Sequence, residues 1–423
     1  MSAPETTATE TETPAAPAGV AVQPFATAAN GWSVFLMADR LRRAAYIQKT
    51  LLRALTGWFV VAPRYETKYA LGAHVWDHAE HVTWLRERLQ NLRGGHPDAS
   101  LEPTFRLAID RVLHAPSTEA FIAGAYLELL PALIDFYSAT GVGCDRAANA
   151  ADAKLVRRIL PELEAQVAWA RTELAESAAT TAPVMAWRNE LRRLFAAAGG
   201  LDGTGARENL PRAVETPATP FALPGRIGFD ERISDRALTP HKDKLKLPYP
   251  DALREQFRVF FNEAYAAAML ASILFDSFEQ QVPWDFVHDF SRHFWDECRH
   301  SEFGNLRLRE MGSEPDRCDQ VLYGYSMQMP FLHRLCYLTM VLEAFYMPRK
   351  KPRFEEYGTA GDLRSQLFAD HDWSDEANHV RWGKRHLTAL LDEDARDIDQ
   401  LKGEIMAILE RVTGKKVESL SPF

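Results

Sequence analysis

One phrase occurs twice in this chain of 423 residues. Glu263 leads, 34 positions on, to Glu297 within Asp296-Glu297-Cys298-Arg299-His300. Glu343 leads, 33 positions on, to Glu376 within Asp375-Glu376-Ala377-Asn378-His379. Each phrase is a lone Glu, a helical hairpin's length of chain, and then D-E-x-x-H. Glu and His at i and i+3 project from one face of a helix. Four helices turned inward would therefore gather four carboxylates and two imidazoles at one point. Four-helix bundles hold a carboxylate-bridged pair of iron or manganese ions with that ligand set. A single E-x-x-H carries little, because Glu and His pairs are common on solvated helix faces. Two copies, each preceded by Asp and each with a Glu at a matched upstream distance, ask for a common cause.

The rest of the composition narrows the class. A formal charge of −9 argues against nucleic acid as the main partner. Cys144, Cys298, Cys318 and Cys336 form no C-x-x-C pair, so neither a zinc knuckle nor a rubredoxin-like iron site is encoded. No uninterrupted apolar run reaches the ~18 residues that a membrane span needs. Residues 1–25, rich in Thr, Ala, Pro and Glu, read as a disordered tail rather than a signal peptide. A cytoplasmic location without membrane contact is the expectation.

The pattern is helical almost throughout, so the fold class is all-α. A 3.6-residue apolar period runs through Gly31–Leu55 and Tyr65–Leu92, and recurs over Thr118–Ala139, Asn149–Glu176 and Ala186–Ala198. Pro131 and Pro161 are candidate kinks. From Gly199 to Pro250, Gly, Pro, Thr and charge dominate, which reads as a linker. Beyond it four helices are expected: to about Gln281, Trp284–Met311, one carrying Glu343 and broken at Pro348, and Asp362–Leu391. The long connection falls between the second and third of these, where a bundle places a single crossover. The division is thus a tail (1–25), a first helical bundle (26–180), a helix plus linker (181–250) and a metal-binding bundle (251–423).

The first half reads as a diverged copy of the second. His74-Val75-Trp76-Asp77-His78-Ala79-Glu80-His81 lies on His293-Phe294-Trp295-Asp296-Glu297-Cys298-Arg299-His300, sharing H-x-W-D-x-x-x-H. In that register His78 stands for Glu297 and Ala44 for Glu263, so two carboxylates that would balance metal charge are gone. Glu128 is a candidate relic. His74, His78 and His81 share one helix face, where a packed, hydrogen-bonded row is commoner than a second metal site.

The candidate metal ligands, and with them the catalytic centre, are Glu263, Glu297, His300, Glu343, Glu376 and His379. Four carboxylates against two divalent ions leave a neutral, buriable core and suit hard, redox-capable metals. Ligating imidazoles usually give their second N–H to a carboxylate. Asp296 is therefore expected to serve His379, and Asp375 to serve His300, crossing between helices. His293 and Asp372, each four residues before a ligand Glu, are candidate extra ligands, with His371 beside the second. Tyr265 and Tyr346 are candidate redox-active phenols, more simply core residues. Met327, Met329, Phe331, Tyr337 and Met340 could wall a pocket or fill the core. The run Arg349-Lys350-Lys351-Pro352-Arg353 reads as a solvated loop, with recognition of an anionic partner as the alternative.

From Leu253 to about Leu391 these residues resemble the ferritin-like di-iron carboxylate superfamily, and most closely its oxygen-activating oxidases and oxygenases. The resemblance implies a ferritin-like four-helix bundle over this stretch that binds two iron ions, with manganese as the substitute; the internal repeat adds a second ferritin-like bundle before it, in tandem, which well-known members of the superfamily lack. It implies an oxidoreductase, of monooxygenase or oxidase type, that uses dioxygen and an external electron donor to oxidise a small organic substrate. It allows a homodimer. A dimanganese catalase or peroxidase, and a non-catalytic metal-binding or interaction protein, are the competing readings.

Overall fold

A computed structural model describes residues 31–208, 221–392 and 396–416. The tail expected at 1–25 lies outside the described residues. Helices dominate what is described, and the only strands among the described residues are two dipeptides, Ser234–Asp235 and Arg317–Cys318, paired in parallel. The protein is all-α.

The first half contributes α1 (Val34–Val61), α2 (Tyr65–Gln90), α3 (Pro103–Asp110), α4 (Thr118–Gly124), α5 (Leu130–Val142), α6 (Ala150–Glu173) and α7 (Ala182–Ala197). The second contributes α8 (Tyr249–Asn262), α9 (Ala264–Ser277), α10 (Trp284–Glu310), α11 (Phe331–Cys336), α12 (Ala344–Thr359), α13 (Leu363–Leu391) and α14 (Ile398–Thr413). Ser33 caps α1 by accepting from the Leu36 N–H, and Asp362 caps α13 by accepting from Ser365. Gly94 and Gly312, at φ 73° and 68°, follow α2 and α10, as a left-handed stop requires.

Several boundaries differ from the sequence reading. Helix α1 runs past Leu55 to Val61, because Thr56 to Val60 are buried in the core. The helix expected to end near Gln281 is two helices, interrupted at Glu263. Pro348 does not break the third helix: α12 continues to Thr359 through Pro348 and Pro352, held along its length against α13. Pro131 follows directly on the π-helical turn Ala125–Leu129 within the continuous helical stretch Thr118–Val142, and Pro161 lies within an unbroken α6. The stretches Thr118–Val142 and Tyr249–Ser277 are long and apolar enough to cross a membrane, although no single apolar run is. Most of each is buried inside the protein, as core helices are.

The segment around 221–235 is pinned down rather than loose. Gly228 and Asp230 donate to the Val60 and Pro63 carbonyls at 2.8 Å, and the Tyr323 hydroxyl donates to Pro224 at 2.8 Å. It thereby ties the end of α1 to the crossover after α10. One hydrophobic core runs from Met37 to Leu409 through both halves, with a smaller cluster around Phe257, Phe261 and Phe368.

The two halves meet where α1 and α2 pack on α9 and α10. The register that lays His74 on His293 also lays Tyr65 on Trp284 and Gln90 on Arg309. Helices α2 and α10 start at these matched positions and end within one residue of each other. Their contacts are reciprocal. Tyr69 meets Trp295 with ring centroids 5.1 Å apart, and the matched pair Trp76 and His288 meets at 5.1 Å. Residue i against j, repeated as j against i, is what a two-fold relation produces. Both halves also carry a π-helical stretch in the third hairpin position, Ala125–Leu129 and Tyr337–Glu343.

Candidate metal centre

Four helical segments converge on one buried cluster. Helix α10 presents His293, Asp296, Glu297 and His300, and α13 presents Asp372, Asp375, Glu376 and His379. The spacing i, i+3, i+4, i+7 is the same in both, so each helix turns one polar face inward. Glu343 closes the π-helical stretch before α12, where an extra residue per turn rotates the side chains of α12 relative to those of α11. Glu263 stands at the interruption between α8 and α9. Ser301 donates to the Phe261 carbonyl there, at 2.8 Å. Gly304 lets α10 approach: a Cβ at that position would lie 2.1 Å from the Phe261 backbone nitrogen.

The ligand-type atoms fall into three overlapping groups, each with its atoms within 4.8 Å of one another. They are His293 with Glu297, Glu343 and His379; Glu263 with His300 and Asp372; and Glu297 with His300 and Glu376. All six candidate ligands are thus brought together, and both supplementary candidates join them. His371 does not; it is exposed. Glu297 Oε1 lies 3.3 Å from His379 Nδ1 and 3.7 Å from His300 Nδ1, between the two imidazoles. These buried groups could hold a metal ion.

The carboxylates that precede the ligand Glu residues face the imidazoles crosswise. His300 donates through Nε2 to Asp375 at 3.3 Å, and His379 through Nε2 to Asp296 at 3.4 Å. Arg292 donates to both Asp296 oxygens at 2.9 and 3.0 Å, and Arg299 reaches Asp375 at 3.0 Å. Each ring is thereby oriented with Nδ1 turned to the cluster. His293 bonds Glu343 through Nε2 at 2.7 Å, and its ring stacks on that of His379.

Lys350 is the residue that sequence reasoning missed. It lies in α12 and is buried, not in a solvated loop, with Nζ 2.7 Å from Asp372 and 3.1 Å from Glu376. The signal was present: Lys350 is seven residues after Glu343, two helical turns on the same face. A helix break at Pro348 hid it. Its neighbour Arg349 points outward over Phe345 and Tyr346. Met329, Phe331 and Tyr337 are buried in the hydrophobic core, and the partly buried Tyr265 packs against it.

The electrostatics describe a site short of positive charge. Burial, with the Asp372 charge, pushes the Glu263 carboxyl well above its usual range. Burial also raises Glu376, although Lys350 opposes it. Burial would raise Glu297, but His293, His379 and His300 outweigh it and hold that carboxyl low. Burial alone would lower His300, yet Asp375, Glu297, Asp372 and Glu263 lift it to about 10. His379 is lifted likewise, against burial, by Asp296 and Glu297.

Eight buried atoms have no hydrogen-bond partner: Nδ1 of His293, His300 and His379, Oε1 of Glu297, Oε2 of Glu263, Glu343 and Glu376, and Oδ2 of Asp372. Orphaned polar atoms are costly and rare in folded proteins, so eight in one cluster ask for a cation. The residues present fit a metal.

The matched place in the first half is different. Gln48 Oε1 accepts from Nδ1 of His78 at 2.9 Å and of His81 at 2.7 Å, while Gln48 Nε2 donates to the Tyr137 hydroxyl at 2.7 Å. His81 Nε2 bonds Glu162 at 2.7 Å, and His74 bonds the Tyr126 hydroxyl at 2.8 Å. None of the three rings leaves an orphaned nitrogen, and no metal-ligand group forms here among the described residues. Glu128 turns away, bound by Arg188 and Arg192.

No known family model, curated protein or solved structure matches this chain.

Proposed function

We propose that the chain is two ferritin-like bundles in tandem, and that the second is a non-haem di-iron oxidase or oxygenase acting on a small organic substrate in the cytosol. The observation that carries this reading is the convergence of eight orphaned ligand atoms from four helical segments on one point. The reciprocal contacts between α2 and α10 support the tandem arrangement.

In this reading Glu263, Glu297, His300, Glu343, Glu376 and His379 hold two metal ions, with Asp372 and His293 as supplementary ligands. Glu297 would contribute to holding both ions, since it groups with His379 in one cluster and with His300 in another. Two divalent ions together with the Lys350 ammonium match the five carboxylates charge for charge, which makes burial tolerable. Carboxylate and imidazole donors favour iron or manganese over zinc, whose structural sites prefer sulfur. An iron pair, once bound and reduced by an external donor, supplies the chemistry of dioxygen activation. The chain's own part is orientation and exclusion of water. Asp296 and Asp375 fix the two imidazoles, Lys350 holds Asp372 and Glu376 in place, and the aromatic rings of Phe290 and Phe303 cover His293 and His300.

Elemental mass spectrometry of protein made with iron and manganese both present tests this. About two irons per chain, followed by oxygen uptake on reduction, is the expected result. Two manganese ions with rapid peroxide disproportionation would replace it by a catalase reading. No metal under any loading condition would end the enzymatic reading.

A further inference from the structure

A second feature lies away from the metal cluster and shares no residue with it. Between α1, α2, α3 and the loop before α3, the first half lines a cavity of about 480 Å³ that is partly open to solvent. That is within the usual size of small-molecule sites, roughly 300–1,000 Å³. Phe278, just past the end of α9, closes one side.

Its charge runs against the chain. The protein carries −9 overall, yet five cations line this cavity, Arg42, Lys49, Arg53, Arg86 and Arg106, against the carboxylates Asp98 and Asp110. Both carboxylates are already engaged. Asp98 takes a two-pronged bond from Arg86 at 2.6 and 2.9 Å. Asp110 accepts from the Tyr46 hydroxyl at 2.7 Å and the Thr50 hydroxyl at 3.4 Å. Arg42 is turned to the Gly94 and His96 carbonyls.

Three cations are left under-partnered. Lys49 reaches only Asp98, at 3.7 Å, which Arg86 already holds. The Arg106 side chain makes no hydrogen bond or ion pair among the described residues, and the residue is exposed. Arg53 meets Glu279 through one terminal nitrogen, but its Nε is buried without a partner. Burial holds the Lys49 ammonium below its usual value in spite of Asp98, and Arg86 pushes it down further. His114 is lowered in the same way, by burial and then by Arg111 and Arg53. Apolar residues lie among the cations: Ala45, Val82, Leu101, Leu113 and Phe278, with the Lys49 ammonium 5.8 Å from the Phe278 ring centre. Like charges gathered around a hollow, with spare donors and an apolar floor, are complementary to an amphiphilic anion.

We propose that this cavity binds a small organic oxyanion, a carboxylate or phosphate ester with an apolar body, held by Lys49, Arg53 and Arg106 and seated against Phe278, Val82 and Leu113. Guanidinium forks and an ammonium suit both oxyanions.

Titration calorimetry on the full chain tests this with three probes: phenyl phosphate, benzoate and inorganic phosphate. At least one aromatic probe is expected to bind once per chain with Kd below roughly 1 mM. A preference for phenyl phosphate or for benzoate then says which oxyanion is the natural one. Arg106→Gln, at an exposed position that does not endanger folding, and Lys49→Gln should each weaken binding about tenfold. Glu297→Gln should leave it unchanged, which separates this site from the metal cluster whatever that cluster does. Silence from every probe at roughly 10 mM, an affinity that neither cavity variant moves, or inorganic phosphate binding as well as phenyl phosphate would overturn the proposal.

Discussion

Helices α2 and α10 hold the same place in two halves of one molecule, and both turn histidines inward. In the first half, Gln48 accepts from His78 and His81, Glu162 pairs with the other nitrogen of His81, and Tyr126 bonds His74, so the histidine row is held by the protein's own groups. In the second, the rings spend one nitrogen on Asp296, Asp375 or Glu343 and leave the other without a partner. The exchange of His78 for Glu297 separates them most simply. A neutral imidazole beside a glutamine amide can satisfy itself within the protein. A carboxylate among four other carboxylates cannot, and Lys350 alone does not balance it. Two matched helices thus line a structural interior or a cation-demanding one according to how many carboxylates point inward.

The largest consequence concerns metal. Glu297→Ala is expected to reduce bound metal from two ions to nearly none while circular dichroism stays helical; His78→Ala, at the matched position, should leave metal content unchanged. Full loading of the Glu297 variant, or loss of metal from the His78 variant, would reverse the assignment of the two halves.

Next comes Lys350→Met. Removing the ammonium paired with both Asp372 and Glu376 should cost the metal-free protein about 3 kcal/mol, the scale for breaking a buried ion pair. The metal-loaded protein should lose less, since metal replaces the missing charge. Urea unfolding with and without metal measures both, and equal losses would show that Lys350 is unrelated to the cluster.

Gln48→Leu should cost about 2 kcal/mol by stranding His78, His81 and Tyr137. Here the loss should be the same with or without metal. A metal-dependent loss would mean that the first half is not the closed region its hydrogen bonds describe.

The last consequence is one of pH. Burial holds the His74 imidazole at about 3 against an ordinary 6.5. The folded protein therefore keeps His74 neutral while the unfolded chain takes up a proton below 6.5. Stability is undiminished above that value and falls as the pH drops from 6.5 toward 3, by at most about 1.4 kcal/mol per pH unit. His74→Gln should flatten that part of the curve in chemical denaturation between pH 6 and pH 4. An unchanged slope would assign the acid sensitivity elsewhere.

Much of this organisation is legible in the residues alone. The two D-E-x-x-H phrases and their upstream Glu residues place six side chains on inward faces, because the helical repeat is a local property. The crossed pairing of Asp296 with His379 and Asp375 with His300 follows from the same spacing, applied to helices that face each other. The repeat H-x-W-D-x-x-x-H carries the correspondence of α2 with α10. Other features were hidden by local signals that tertiary packing overrode. Proline at 348 argued for a break that contacts with α13 prevent, and with the break went Lys350. The described part of the apparent linker around residues 228–234 is pinned to α1 and the crossover by backbone hydrogen bonds that composition does not encode.

Periodicity and motif spacing thus settled the helices, their inward faces and the candidate ligands. Packing across the chain decided the rest: Glu297 between two imidazoles, Lys350 turned to the carboxylates, Gln48 closing the first half, and Arg106 brought to the cavity beside Lys49. The physical reason is range. A helix face is set by neighbours three and four residues away, whereas charge balance and hydrogen-bond satisfaction depend on groups that only the fold brings together.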